Sequence, residues 1–208
     1  MAETQGQFDE SHGRLLLGTD VAGRAAKMGH RLMIAMERWQ AAVSWSGARP
    51  TSVTLTVDVD ALRVLRGDGG LTPLTPPEKA LIRGNALKCL ESAKYERIRF
   101  ESNDIEPTDD GYRLTGTLEI HGRTKPHMIE VRVGPPHEPG GSARLDGGEP
   151  KLGPPHEPGG SWQVDGDSRV RQSDFGVRRF SMLMGAMQVA DEVTVSFSAT
   201  VPADEVGG

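Results

Sequence analysis

The sequence predicts an all-β fold of about eight antiparallel strands with one main helix. Three observations predict it. Residues 94–133 alternate apolar and polar positions in three runs: Ile98, Phe100 and Ser102 against Arg97, Arg99 and Glu101; then Tyr112, Leu114, Gly116, Leu118 and Ile120; then Ile129, Val131 and Val133 against Glu130 and Arg132. Asp109-Asp110-Gly111 and His121-Gly122 separate the runs, as turns of a meander would. Gly 26 and Pro 14 are high counts for 208 residues and suit a turn-rich β protein. Finally, the apolar period becomes helical in only one main stretch, after Thr75-Pro76-Pro77-Glu78.

Taken in order, residues 1–12 read as a flexible start and residues 13–19 (GRLLLGT) as the first strand. Residues 31–46 read as one long strand whose phase slips: Leu32, Ile34 and Met36 share one parity, and Trp39, Ala41, Val43 and Trp45 the other. A β-bulge produces such a slip. Val53, Leu55, Val57 and Val59 give the next strand. Proline in the first turn and Glu78 near the positive end start a helix over about 77–92, with Ala80, Leu81, Leu87 and Leu90 at helical spacing. After the meander come strands at 162–171 and 193–201, the latter with Val193, Val195, Phe197 and Ala199 alternating. One domain over 13–202 and a flexible 203–208 complete the organisation. Pattern alone accommodates a closed barrel or a β-sandwich.

The segment 134–161 stands apart. GPPHEPGGS at 134–142 recurs identically at 153–161. Proline and glycine at this density neither pair inside a sheet nor sustain a helix, so a duplicated, solvent-exposed loop is expected, and one whose second copy is dispensable for folding. His137 and His156 lie in it, each followed by glutamate, but a metal site needs ligands converging from fixed elements.

Lys+Arg 24 against Asp+Glu 29 gives a net charge of −5 without a basic run, which argues against nucleic acid as a partner. No apolar run approaches a membrane span, so no membrane insertion is expected. The start, MAETQGQFDESHGR, lacks an apolar signal region, which points to the cytoplasm. The single cysteine, Cys89, cannot pair internally and reads as a small apolar helix residue. No metal, cofactor or catalytic motif is evident: there is no Gly-x-Ser-x-Gly and no His-Glu-x-x-His, and Asp174-Phe175-Gly176 stands without any other kinase element. His30 and His121 fall at a strand start and a hairpin turn, and read as structural.

Tyr95-x-x-Ile98-x-Phe100-x-Ser102 followed by Gly111-Tyr112-x-Leu114-x-Gly116-x-Leu118-x-Ile120-His121-Gly122-x-Thr124-Lys125-Pro126 resembles the YceI-like family, the lipocalin-like polyisoprenoid-binding proteins. The resemblance continues at Gly29-His30-Arg31-Leu32, at Asn85-Ala86-Leu87-Lys88, at residues 171–177 (RQSDFGV) and at residues 191–195 (DEVTV), and it spans 13–133 and 162–201. Glu96 departs from it, where the family carries proline. The resemblance implies an eight-stranded lipocalin-like barrel, a homodimer, and an isoprenoid lipid or isoprenoid quinone as ligand, with no catalytic residues to transfer.

The inward parity set would line such a barrel: Ile34, Met36, Trp39, Val43, Leu55, Val57, Phe100, Leu114, Leu118, Ile129, Val131, Val195 and Phe197. Met182 and Met184, in a methionine-rich segment between strands, would border its mouth as an adaptable apolar wall. Parity does not distinguish a ligand tunnel from a filled core. The expected function is non-catalytic binding, carriage or storage of the isoprenoid. The alternatives are a hydrolase or isomerase acting on an amphiphile, and a structural protein with a filled barrel.

Overall fold

The computed structural model describes residues 3–70, 72–134 and 160–202. The strands are β1 (Glu3–Asp9), β2 (Gly13–Ala22), β3 (His30–Met36), β4 (Trp39–Ser46), β5 (Arg49–Asp58) and β6 (Leu62–Gly69). Helix α1 (Pro76–Cys89) precedes β7 (Arg97–Pro107), β8 (Gly111–Ile120), β9 (Arg123–Gly134), β10 (Ser161–Arg171), the short β11 (Ser181–Met182) and β12 (Met187–Pro202). All pair antiparallel in one sheet, in the order β1-β4-β5-β7-β8-β9-β10-β12-β2-β3-β6, with β11 attached to β12. The sheet rolls up on itself. Phe8 of β1 and Leu62 and Val64 of β6 belong to opposite ends of that order, yet they share one buried cluster with Leu15, Trp39 and Val201.

The all-β class, the single main helix and the central meander match expectation. Phe100 pairs with Leu118, Leu114 with Ile129 and Tyr112 with Val131. Phe100, Leu114 and Leu118 are buried, and Val131 packs half-buried against them. His121 and Gly122, both at positive φ (54° and 68°), make the tight turn from β8 to β9.

Among the described residues the strand count is twelve rather than about eight, for physical reasons. Residues 31–46 are not one bulged strand. The parity slip is a break at Glu37 and Arg38, where the chain leaves β3 and enters β4, which is not β3's neighbour. Backbone bonds pin this corner, Glu37 N–H donating to Ala61 O and Asp58 N–H to Arg38 O. Residues 3–9, expected to be flexible, form β1 and pair with β4 from Glu3↔Ser46 to Asp9↔Gln40. Strand β6 went unread because glycine and charges dilute its alternation (LRVLRGDG). The helix ends at Cys89, short of residue 92.

Residues 135–159, which hold nearly all of the duplicated GPPHEPGGS stretch with His137 and His156, lie outside the described residues, as do 203–208. The chain leaves β9 and re-enters β10 at adjacent positions, Gly134 opposite Gln163. Among the described residues, no helix is long and apolar enough to cross a membrane.

Helix α1 is tied down by charge. The Glu78 carboxylate accepts hydrogen bonds from Thr75 N–H (2.8 Å) and Thr75 Oγ1 (2.6 Å), bonds that hold its pKa below the ordinary carboxylate value. Arg83 donates to the carbonyls of Leu62 (2.8 Å) and Asp60, and Lys79 to that of Leu65 (2.6 Å). These bonds lay the helix along β6.

Candidate functional site

Ile82, Asn85, Ala86 and Cys89 recur at the i, i+3, i+4, i+7 spacing of one helix face, and all four border a cavity of about 360 Å³. Opposite them stand inward residues of the sheet, among them Leu15, Leu17, Leu32, Leu55, Ile98, Ile129 and Val195. Leu17, Leu32, Ile98 and Ile129 are half-buried: they border this space and pack against the buried clusters beside it. Among the described residues, no Lys, Arg, Asp or Glu lines the cavity. Its volume falls in the range of small-ligand sites, about 300–1,000 Å³. A wall so apolar favours a hydrocarbon ligand and penalises a charged one.

The lining carries few polar groups. His30 Nε2 lies 2.7 Å from the Thr72 carbonyl and donates to it. Gln172 Nε2 donates to the Ala190 carbonyl at 2.8 Å. His127 Nε2 and Ser168 Oγ lie 2.5 Å apart on adjacent strands β9 and β10. Burial lowers the His127 pKa, which keeps the ring neutral at physiological pH. Burial also raises the Cys89 thiol, the opposite of what a nucleophilic cysteine requires.

Two loops frame the mouth. Met28 and Met182 both line the cavity and are 50% and 49% exposed. Met28 lies in the β2–β3 connection and Met182 on β11, and the segments around them dock onto each other: Ala25 N–H donates to Ala186 O at 2.9 Å, and a side chain at Gly29 would press on Met187 Sδ and Val21.

The family model for the YceI-like domain matches residues 2–201. The chain belongs to the YceI-like family. Solved structures agree on the fold. BcnA of Burkholderia cenocepacia has 18% identity and a TM-score of 0.60, over 93% of this chain and 98% of that one. The Campylobacter jejuni YCEI protein has 14% identity and a TM-score of 0.54, over 81% of this chain and 83% of that one. A mutant of the latter holding a monobromobimane guest has 13% identity and a TM-score of 0.53 over the same shares. At these identities the likeness concerns fold alone. No curated protein sequence matches the chain significantly.

Within this YceI-like barrel, Ile34, Met36, Leu55, Val57, Phe100, Leu118, Ile129, Met182 and Val195 line the cavity. Trp39, Val43, Leu114, Val131 and Phe197 do not; they belong to, or pack against, the two buried clusters of the interior. Met184 points to solvent at 107% exposure, from a left-handed backbone (φ 53°). Sequence reasoning missed the helix face, because Asn85 and Gly84 interrupt its apolar stripe. It also missed His127, which follows Pro126 at the start of an alternating strand with no motif to mark it. His30 borders the cavity, whereas His121 lies outside it, against the Tyr95 ring at 4.4 Å.

Proposed function

We propose that this YceI-like protein binds a long-chain isoprenoid lipid or isoprenoid quinone in the cavity under α1 and carries or stores it without chemical change. One observation carries the reading: the cavity is bounded by a rolled sheet and a helix face, and its wall is apolar and free of charged side chains. Each buried methylene contributes about 0.8 kcal/mol, so one five-carbon unit contributes about 4 kcal/mol gross. Two or three units offset the cost of ordering the chain and leave roughly micromolar affinity. The non-catalytic part of the reading is supported by the chemistry of the wall. Its cysteine is pushed toward the thiol, and no carboxylate lines the cavity to orient the His127 ring toward Ser168.

The test is a titration of gently delipidated protein with menatetrenone, a naphthoquinone bearing a four-isoprene tail, followed by quenching of tryptophan fluorescence. Saturation at one equivalent in the micromolar range supports the reading. Absence of quenching at tens of micromolar would falsify it.

A further inference from the structure

The contact between His127 and Ser168 leaves a hydrogen unspent whichever way it is drawn. If Ser168 Oγ–H donates to His127 Nε2, the ring proton sits on Nδ1. If Nε2–H donates to Oγ, the serine hydroxyl keeps its own proton. Neither Nδ1 nor Oγ has a second hydrogen-bond partner among the described residues. In both cases one donor remains inside a mostly apolar wall. A donor left alone there is costly, and a ligand oxygen that accepts from it removes the cost.

The position is also built to hold such an oxygen. Both side chains rise from adjacent strands just beyond the last pair of the β9–β10 ladder, Asp167 opposite Glu130. Both also line the cavity, so the pair faces the ligand space. Among the other polar groups of the wall, His30 donates to Thr72 and Gln172 to Ala190, while Thr19 Oγ1 accepts from Leu32 N–H at 3.3 Å and keeps its own hydrogen. Asn85 and Gln188 also line the wall, each as a single amide, whereas at His127 and Ser168 two polar side chains meet. No cation lines the cavity to neutralise a phosphate.

We propose that His127 and Ser168 form a polar seat for an uncharged acceptor oxygen on the ligand, so that this cavity selects isoprenoids headed by a quinone carbonyl or an alcohol over prenyl phosphates and over bare hydrocarbons. This rests on the isoprenoid reading above and narrows it to a head-group class.

The experiment compares four probes by displacement of a fluorescent fatty-chain reporter from the full-length protein: menatetrenone, geranylgeraniol, geranylgeranyl diphosphate and phytane. Wild type is expected to bind the quinone and the alcohol at least tenfold more tightly than phytane or the diphosphate. His127→Val with Ser168→Ala is expected to lose at least tenfold for the two oxygen-headed probes and to keep phytane within threefold. Ser168→Ala alone is expected to lose part of that preference, and His121→Gln, outside the cavity, to keep it. The seat is overturned if the double variant retains the full preference for quinone and alcohol, or if the diphosphate binds as tightly as the alcohol. In those outcomes phytane and quinone still bind and the carrier reading stands. If wild type displaces the reporter with none of the four, the carrier reading itself falls.

Discussion

Trp39 and Phe197 meet edge to face, ring centroids 5.1 Å apart and planes at 79°. Neither lines the cavity; Trp39 is 1% exposed, and both rings belong to the packed part of the interior. The barrel is therefore divided, with one region filled by aromatic packing and one left for a ligand.

Trp39→Ala should cost about 3–5 kcal/mol, the usual cost of deleting a large buried side chain. Trp39→Phe should cost far less than its size suggests. The Trp39 indole N–H has no partner, so the smaller ring removes an unsatisfied donor as it removes volume. Urea unfolding of the three proteins checks this. Equal losses for Ala and Phe would mean that the indole is satisfied in solution.

Deleting residues 1–9 should destabilise the domain by more than about 2 kcal/mol, a core-mutation effect rather than the loss of a loose end. The deletion removes a strand paired along its length with β4, and Phe8 at 7% exposure from the buried cluster. Thermal unfolding by circular dichroism measures it. An unchanged midpoint would return this segment to the status of a tail.

Two inward positions that parity treats alike should behave differently. Leu17→Trp or Ile129→Trp fills the cavity and should weaken menatetrenone binding at least tenfold, about 1.4 kcal/mol. Val131→Trp lies outside the cavity and should act on stability instead, by about 1–3 kcal/mol of overpacking. Affinity and unfolding measured on the same preparations separate the two classes. Loss of affinity in the Val131 variant with the fold intact would redraw the cavity.

This division marks how far the sequence is legible. Alternation at Phe100, Leu114, Leu118 and Ile129 states which side chains face inward, because strand geometry obliges it. Whether an inward side chain meets another or meets open space depends on how the sheet curls and where α1 lies. Those are long-range relations: Arg83 reaching the carbonyls of Leu62 and Asp60, or Phe8 arriving beside Val64. The break at Glu37 and Arg38 imitates a bulge for the same reason, since both invert parity and only pairing tells them apart. His127 illustrates the remaining gap. A histidine in an alternating strand reads as ordinary until the fold brings Ser168 within hydrogen-bond distance of it on the cavity wall.

Stability should fall as pH drops below about 6.5, in part through His127. Burial lowers its folded-state pKa below the ordinary 6.5, so the unfolded chain takes up the proton first. The contribution is complete above about 6.5 and declines as pH falls through that value toward the folded pKa. His127→Gln should flatten the pH dependence of unfolding between about pH 7.5 and 5.5 relative to wild type, a difference that cancels the other titrating groups. Superimposable wild-type and variant profiles would show that the ring is solvated.

The most direct test of the carrier reading is native mass spectrometry of freshly purified protein, followed by solvent extraction and analysis of what is released. The account predicts a co-purifying molecule at one equivalent, with an isoprenoid tail, an uncharged oxygen-bearing head and the same mass before and after incubation with the protein. A protein that leaves purification without any hydrocarbon-tailed molecule and takes none up from menatetrenone, or one that returns the molecule hydrolysed or rearranged, would contradict it.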